Sequence, residues 1–374
     1  MPDTSTTTIR GAVLERIGDA APYDRSRPVS IDELELAPPG PGEILVRMEA
    51  AGLCHSDLSV VNGSRARPVP MLLGHEAAGL IEAVGPGPCD LAVGTRVVMT
   101  FLPRCGDCSG CRTDGRLPCS AGSASNTEGS LLGGGLRLHR GGEPVHHHMG
   151  VSGFATHAVV DRRSVVPVDD DVPPQVAALF GCAVLTGGGA VVNAARPGPG
   201  DDVVVVGLGG VGLAAVLTAL ALEHGRVVGV DPVPGKRELA RSLGAEALSP
   251  DEALENGLTA PVVIEAAGSA PAFETAVRLT GPGGNTVTVG LPAPDAVAGI
   301  SPLGLTAQAR SIVGSYLGSA VPERDIPRFV ELWRSGRLPV ERLVSDTIGL
   351  DDLNRAMDNL AAGTAVRQMI GFDG

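Results

Sequence analysis

Only one lysine, Lys236, occurs among the 29 basic residues of this 374-residue chain, and 42 acidic residues leave a formal net charge of −13. That shortage of positive charge excludes nucleic acid and anionic membrane surfaces as partners. The skew to arginine, with abundant Ala, Gly and Val, follows from a GC-rich genome and not from function. The opening Met1-Pro-Asp-Thr-Ser-Thr-Thr-Thr8 has neither a basic n-region nor an apolar h-region, so no secretory leader is expected. Seven cysteines in so long a chain do not read as a disulfide framework, which suits short secreted sequences. No internal repeat is evident. Length and composition predict a soluble, two-domain protein, a hydrophobic content of 43 % supports a packed core, and a cytoplasmic location is expected.

Four of the cysteines lie in the run Cys105-Gly-Asp-Cys108-Ser-Gly-Cys111-Arg-Thr-Asp-Gly-Arg-Leu-Pro-Cys119. Thiolates so close in sequence can converge on one tetrahedral Zn²⁺, and a Cys₄ set leaves no place for substrate. The run therefore reads as a structural zinc site. A looser set begins with Cys54-His55-Ser56-Asp57 and continues with His75-Glu76 about twenty residues later. Two thiolates and an imidazole would leave a fourth position open, as a catalytic zinc requires. Cys89 is left over as a small buried hydrophobe.

The uncharged stretch Val203 to Leu222 is long enough to be a membrane-span candidate, but its organisation is strand, glycine turn, helix. Val203-Val-Val-Val206 suits a buried parallel strand, Gly207-Leu-Gly209-Gly210-Val211-Gly212 fits G-x-G-x-x-G, and a helix is expected from Leu213 to Glu223. The first glycine allows the tight turn, the second admits a pyrophosphate, and the third lets helix pack on strand. Asp231 ends the next strand, nineteen residues after Gly212. A carboxylate there binds ribose hydroxyls and repels a 2′-phosphate, which favours NAD over NADP. Lys236 either reaches the same ribose or is a solvated surface charge. Further strands are expected at Val262 to Ile264 and Thr286 to Val289, with glycine-bearing ends lining the nicotinamide half of the cleft. Helices are expected at Ala272 to Leu279, Pro322 to Trp333 and Leu350 to Ala361. Gly129 to Gly150 reads as a long loop whose His146-His147-His148 could bind metal, but with the zinc sites already filled a structural or interface role is expected.

These motifs together resemble the medium-chain zinc-dependent alcohol dehydrogenases over nearly the whole chain. The resemblance is carried by Cys54-His-Ser-Asp57, Gly74-His-Glu-Ala-Ala-Gly79 with Gly85 and Gly87, the four-cysteine lobe, Gly181-Cys182, and the Gly207–Gly212 turn with Asp231. Pro144-Val-His-His-His-Met-Gly150 through Phe154 looks most like the animal-type and formaldehyde-adduct branches. The resemblance implies an α/β fold, a GroES-like β-rich catalytic domain plus a doubly wound Rossmann domain. The expected boundaries are 1–185 (catalytic, with the zinc lobe), 186–317 (Rossmann, NAD-binding) and 318–374 (return to the catalytic domain).

The resemblance also implies roles. Cys182 would join Cys54 and His75 as the third catalytic-zinc ligand, giving two Zn²⁺ per chain with the site at Cys105, Cys108, Cys111 and Cys119. Ser56 would take the alcohol proton, unless it is only a helix cap. Asp57 would orient His75, unless it is a turn residue. Glu76 would be an outer carboxylate or transient ligand. His55 and Arg367 would contact cofactor phosphates, with a surface charge the alternative for Arg367. Many relatives end the proton relay in a histidine where this chain has Ser59, so water or His55 is expected to finish it. Phe101, Met149, Leu291 and Tyr316 should line the substrate pocket, with Val60, Val61 and Arg65 nearer its mouth. That set suits hydride transfer between NAD(H) and a medium-sized apolar or aromatic primary alcohol or aldehyde. A thiol–formaldehyde adduct dehydrogenase, an enal or carbonyl reductase, and a non-catalytic relative are the alternatives. A homodimer, or else a tetramer, is expected.

Overall fold

Residues 6–372 are described by the computed structural model, and most of the N-terminal stretch read for a leader lies outside them. The chain divides into two units. One joins the chain up to Thr113 with Pro118–Cys182 and the chain from Val344 on; the other consists of Asp114–Leu117 and Ala183–Leu343.

The first unit is built of β-strands. A closed barrel pairs Thr7–Leu14 with Val29–Leu36 and includes Met71–Leu72, Leu138–Arg140 and Glu143–His147. A second, seven-stranded sheet centres on Glu43–Leu53, which pairs antiparallel with Glu76–Val84 on one side and Arg367–Gly371 on the other. Its apolar residues (Ile44, Val46, Met48, Ala51 and Leu53) meet Phe154, Met357 and Leu360 in the main core.

Six parallel strands form the sheet of the second unit, running across it as 246–248, 227–230, 203–206, 260–265, 280–288 and 311–314. In chain order that is third, second, first, fourth, fifth, sixth, the order of a doubly wound nucleotide-binding sheet. Val203–Val206 is wholly buried and its valines pair on both sides, as a β-branched run between parallel neighbours requires. The helix that follows, Gly210–Ala221, is buried on nearly every face. Among the described residues one helical run, Pro174–Ala195, is long and apolar enough to cross a membrane, yet its most apolar 18-residue window (mean hydropathy 1.7) is 89 % buried inside the structure, so it is a core helix.

Two expectations are corrected here. The return to the first unit comes at Val344 and not at 318. Helix Pro322–Arg334 stays with the nucleotide-binding unit because Phe329 fills the space beside Gly188 and Asp325 accepts from Asn193 Nδ2 at 3.1 Å. The expected loop 129–150 contains the hairpin Leu138–Arg140 and Glu143–His147, with Gly141 and Gly142 both at positive φ. Two adjacent glycines supply that turn at no steric cost, and Leu138 and Val145 bury their side chains in the barrel core.

Candidate active site

Strand ends assemble the centre of the first unit. Leu53 ends the strand Glu43–Leu53, and Cys54 caps the helix His55–Val61 that follows. Gly52 lies opposite both Glu76 and Met369 in the sheet, so His75-Glu76 and Arg367 arrive beside Cys54. Cys182 comes from a π-helical turn, Phe180–Val184, in the long apolar run. A Cβ on Gly181 would collide with the Met99 carbonyl, so a glycine is needed there to seat the turn on strand Arg96–Met99. Such π turns often mark functional positions in helices.

The ligand atoms of Cys54, His75 and Cys182 lie within 4.8 Å of one another, and all three residues are buried. His75 Nε2 is 3.4 Å from Cys182 Sγ. Its other ring nitrogen, Nδ1, donates to Asp57 Oδ1 at 2.9 Å, which directs Nε2 toward the thiols. Asp57 Oδ2 accepts the backbone N–H of Cys54 at 2.9 Å. One carboxylate thus fixes a thiol-bearing backbone and the imidazole together. His148, which the sequence marks only as one of three adjacent histidines, joins it: fully buried, it places Nδ1 3.2 Å from Asp57 Oδ1 and its ring edge-on to His75 at 5.5 Å. No spacing signal connects position 148 with position 57.

Arg367 was expected at the cofactor phosphates. The structure gives it other partners: it is 2 % exposed, Nε lies 3.2 Å from Glu76 Oε1, and Nη1 donates to the Leu53 carbonyl at 3.0 Å. Its charge faces the thiols. The Cys54 thiol is held well below the ordinary range by the hydrogen bond from Cys182, then by Arg367 and His75. The thiol of Cys182 is pushed up by its bond to Cys54, by burial and by the neighbouring negative charges. Burial opposes ionisation of Asp57, but His75 and His148 outweigh it and hold the carboxyl at about 2. With both thiols ionised and the His75 imidazole neutral, as metal ligands must be, the Asp57 and Glu76 carboxylates would leave one guanidinium against four negative charges in the interior. A divalent cation among Cys54, His75 and Cys182 balances that set, so the residues fit a zinc ion.

The four-cysteine lobe fits a second ion. Cys105 and Cys111 Sγ are 3.9 Å apart, as are those of Cys108 and Cys119. Arms of about 2.3 Å give a tetrahedral edge of about 3.8 Å. Backbone N–H groups of Cys105 and Gly122 point at Cys119 Sγ, both at 3.3 Å, and that of Cys111 at Cys108 Sγ at 3.4 Å. The Ser120 hydroxyl, with the backbone of Cys111, lowers the Cys108 thiol to about 5.

Ser56 is half-buried and His55 exposed in the first turn of helix His55–Val61. The Ser59 hydroxyl donates to the His55 carbonyl at 2.8 Å, one turn back. Val60 and Val61, expected near a pocket mouth, are instead wholly buried in the core, because they lie on the inner face of that helix. Of the expected pocket residues, Phe101 and Met149 belong to the first unit, with the Phe101 ring edge-on to His75 at 5.5 Å and Met149 buried at positive φ. Leu291 and Tyr316 belong to the second unit.

In that unit the glycines separate by purpose. A Cβ on Gly212 would strike the Gly207 carbonyl, and one on Gly207 would come within 2.5 Å of the Ala267 nitrogen. A Cβ on Gly209 would meet nothing, so no packing within the protein demands a glycine there. A glycine there leaves the backbone open to the approach of a ligand. Gly209→Ala is therefore expected to melt within a degree or two of the parent while binding NADH about tenfold or more weakly, whereas Gly212→Ala should lose stability first. Thermal melts beside NADH titrations check this, and equal stability loss in both variants would refute it. Asp231 accepts the backbone N–H of Leu208 and of Val233, each at 2.8 Å, which ties it to the same turn. Gly210 and Val211 open the helix over that turn, and Lys236 is half-buried on helix Pro234–Ser242.

The middle histidine of the 146–148 run is structural. His147 Nε2 accepts the Arg137 N–H at 3.1 Å. Burial first, then His146, Arg137 and His139, hold it at about 3, so it is neutral in the folded protein. An unfolded histidine protonates near 6.5, so folding stability falls as pH drops from about 6.5 toward 3, by about 1.4 kcal/mol per unit. His147→Gln keeps an acceptor but has no proton to take up. Its denaturation midpoint should fall less steeply between about pH 6.5 and 4.5; parallel curves would count against the assignment.

A β-rich unit holding a Cys₂His centre and a four-thiol lobe, with a doubly wound nucleotide-binding unit, defines a zinc-binding dehydrogenase. The comparisons agree. Residues 40–170 match the alcohol dehydrogenase GroES-like domain and residues 210–335 the zinc-binding dehydrogenase domain. A putative alcohol dehydrogenase D of Mycobacterium tuberculosis is 36 % identical over 359 residues, 93 % of this chain and 97 % of that protein. A geraniol dehydrogenase of Castellaniella defragrans is 35 % identical over 97 % of both chains. The crystal structure of benzyl alcohol dehydrogenase from Acinetobacter calcoaceticus superposes with a TM-score of 0.89 at 30 % identity, covering 98 % of this chain and 100 % of that one. The chain belongs to the medium-chain zinc-dependent alcohol dehydrogenase family. It is an enzyme of the oxidoreductase class that works with zinc and a nicotinamide cofactor on small molecules.

Proposed function

We propose that this enzyme passes hydride between NAD(H) and a medium-sized apolar or aromatic primary alcohol or aldehyde, using two zinc ions per chain. The observation that carries the reading is the convergence of Cys54, His75 and Cys182 within 4.8 Å, with Asp57 behind the imidazole. Zinc held there would supply a Lewis acid that makes an alcohol hydroxyl acidic near neutral pH, and NAD would supply the hydride acceptor. Cys54 and Cys182 offer thiolates, with Arg367 offsetting their charge. Asp57 keeps the His75 proton on Nδ1 and leaves Nε2 to the metal. Ser56 Oγ, two residues beyond Cys54, receives the proton that leaves the alcohol. Ser59 cannot store that proton near neutrality as an imidazole can, and its hydroxyl is tied to the helix backbone, so His55 or water carries the proton on. Glu76 acts through Arg367 and not on substrate.

Phe101 and Met149 supply an apolar wall, and relatives named for geraniol and benzyl alcohol suit the same substrate size. Asp231 favours NAD over NADP. The lobe cysteines, kept as thiolates for metal, belong in a reducing cytoplasm. The assembly is proposed to be a homodimer.

Metal analysis beside NADH formation with a panel of primary alcohols tests the reading. The expected result is about two zinc per chain, with Cys182→Ala keeping about one and losing turnover about 10³-fold or more. One zinc or none in the parent, without turnover, would end it. Preference for NADH plus a carbonyl over NAD⁺ plus alcohol would make it a reductase with the same site.

A further inference from the structure

Helix Ser120–Glu128 begins at the lobe and ends at the substrate wall. Its N-cap is Cys119, the fourth lobe cysteine, whose Sγ accepts the Gly122 N–H at 3.3 Å. Two turns on, Asn126 is 5 % exposed, and its Nδ2 donates to the Phe101 backbone carbonyl at 2.7 Å. Its Oδ1 is buried without a hydrogen-bond partner. The amide is thus held by the Phe101 carbonyl alone, in a position where an apolar side chain of that size would be ordinary. Phe101 in turn stands edge-on to His75 at 5.5 Å. Past the helix, the Gly129 carbonyl accepts the His147 N–H at 2.7 Å, so the same element also holds the strand that leads to Met149.

We propose that Asn126 is a specificity-determining positioning residue, which pins Phe101 beside His75 and passes the order of the four-cysteine lobe to the substrate pocket. Metal at Cys119 fixes the helix start, the helix fixes Asn126, and Asn126 fixes how far the Phe101 wall stands from the reacting centre. The inference rests on the reading of Phe101 as a pocket wall. Its effect falls on discrimination between large and small substrates and not on the zinc ligands, none of which Asn126 touches.

Binding of two unreactive aldehyde isosteres, benzamide and acetamide, to the NADH-loaded holoenzyme tests it without turnover. Asn126→Ala removes the donor, and Asn126→Asp keeps the shape but sets an acceptor against the carbonyl. Both should let the wall retreat and shift the ratio of the two dissociation constants toward benzamide by about tenfold, with zinc content unchanged. A ratio within about twofold of the parent in either folded variant overturns the proposal. A second measurement uses the unmutated chain. Cys105, Cys108 and Cys111 are half-exposed, whereas Cys54 and Cys182 are 6 % and 4 % exposed, so a bulky organomercurial should strip the lobe first. After loss of one zinc per chain the ratio should move the same way; an unmoved ratio also overturns the proposal. Failure of the parent holoenzyme to bind either amide would instead bring down the pocket reading, and this inference with it.

Discussion

Replacing Arg367 with methionine is expected to cost about 3–5 kcal/mol of folding stability, the usual consequence of leaving a buried charge without its partner. The loss takes the guanidinium away from Glu76, which is wholly buried, and from the neighbouring Cys54 thiol, which is held well below its ordinary range. The reverse deletion, Glu76→Gln, should be milder. It leaves the guanidinium facing Cys54 and Cys182, whose negative charge takes over part of the carboxylate's role. The double variant should recover part of the Arg367→Met loss, because no lone charge remains. Denaturant unfolding of the three zinc-loaded variants decides the matter. If Glu76→Gln proved as damaging as Arg367→Met, the view of Arg367 as the thiols' counter-charge would fail.

Asp57→Ala should weaken zinc binding at the Cys54, His75 and Cys182 centre by about 10–100-fold, the range for losing the partner that orients a metal-binding imidazole. It also removes the cap on the Cys54 N–H, at about 1 kcal/mol. Asp57→Asn separates the two effects. An amide oxygen still accepts one hydrogen bond, but it lacks the charge that holds the His75 proton on Nδ1. The asparagine variant should therefore recover stability before it recovers metal affinity. Chelator competition for zinc, read beside thermal unfolding, would show the split. Full recovery of zinc affinity in Asp57→Asn would mean that Asp57 acts by geometry alone.

Much of this was legible in the chain because the signals are local. The lobe's spacing brings four thiols to one point whatever the rest of the fold does, and the structure shows tetrahedral edges there. The strand, turn and helix at 203–221 follow from a β-branched run, three spaced glycines and an apolar helix. Cys182 was different. It reaches the site from a π turn more than a hundred residues beyond His75, and no periodicity announces that. His148 stood out only as one of three adjacent histidines; its relation to Asp57 is set by the barrel hairpin, and the glycines there make the segment look like a loop. The boundary at Val344 was misplaced because amphipathic helix Pro322–Arg334 does not say which sheet it will cover. Phe329 beside Gly188 and the Asn193–Asp325 hydrogen bond decide it.

The half-buried Lys236 has a chemical consequence. Aldehydes condense with primary amines to Schiff bases and leave guanidinium groups largely alone. An enzyme that makes or consumes aldehydes bathes its own surface in such an electrophile. In this chain the only side-chain amine on offer lies on the helix after Asp231, beside the turn assigned to the cofactor. Schiff-base formation on side chains would therefore be confined to this one residue.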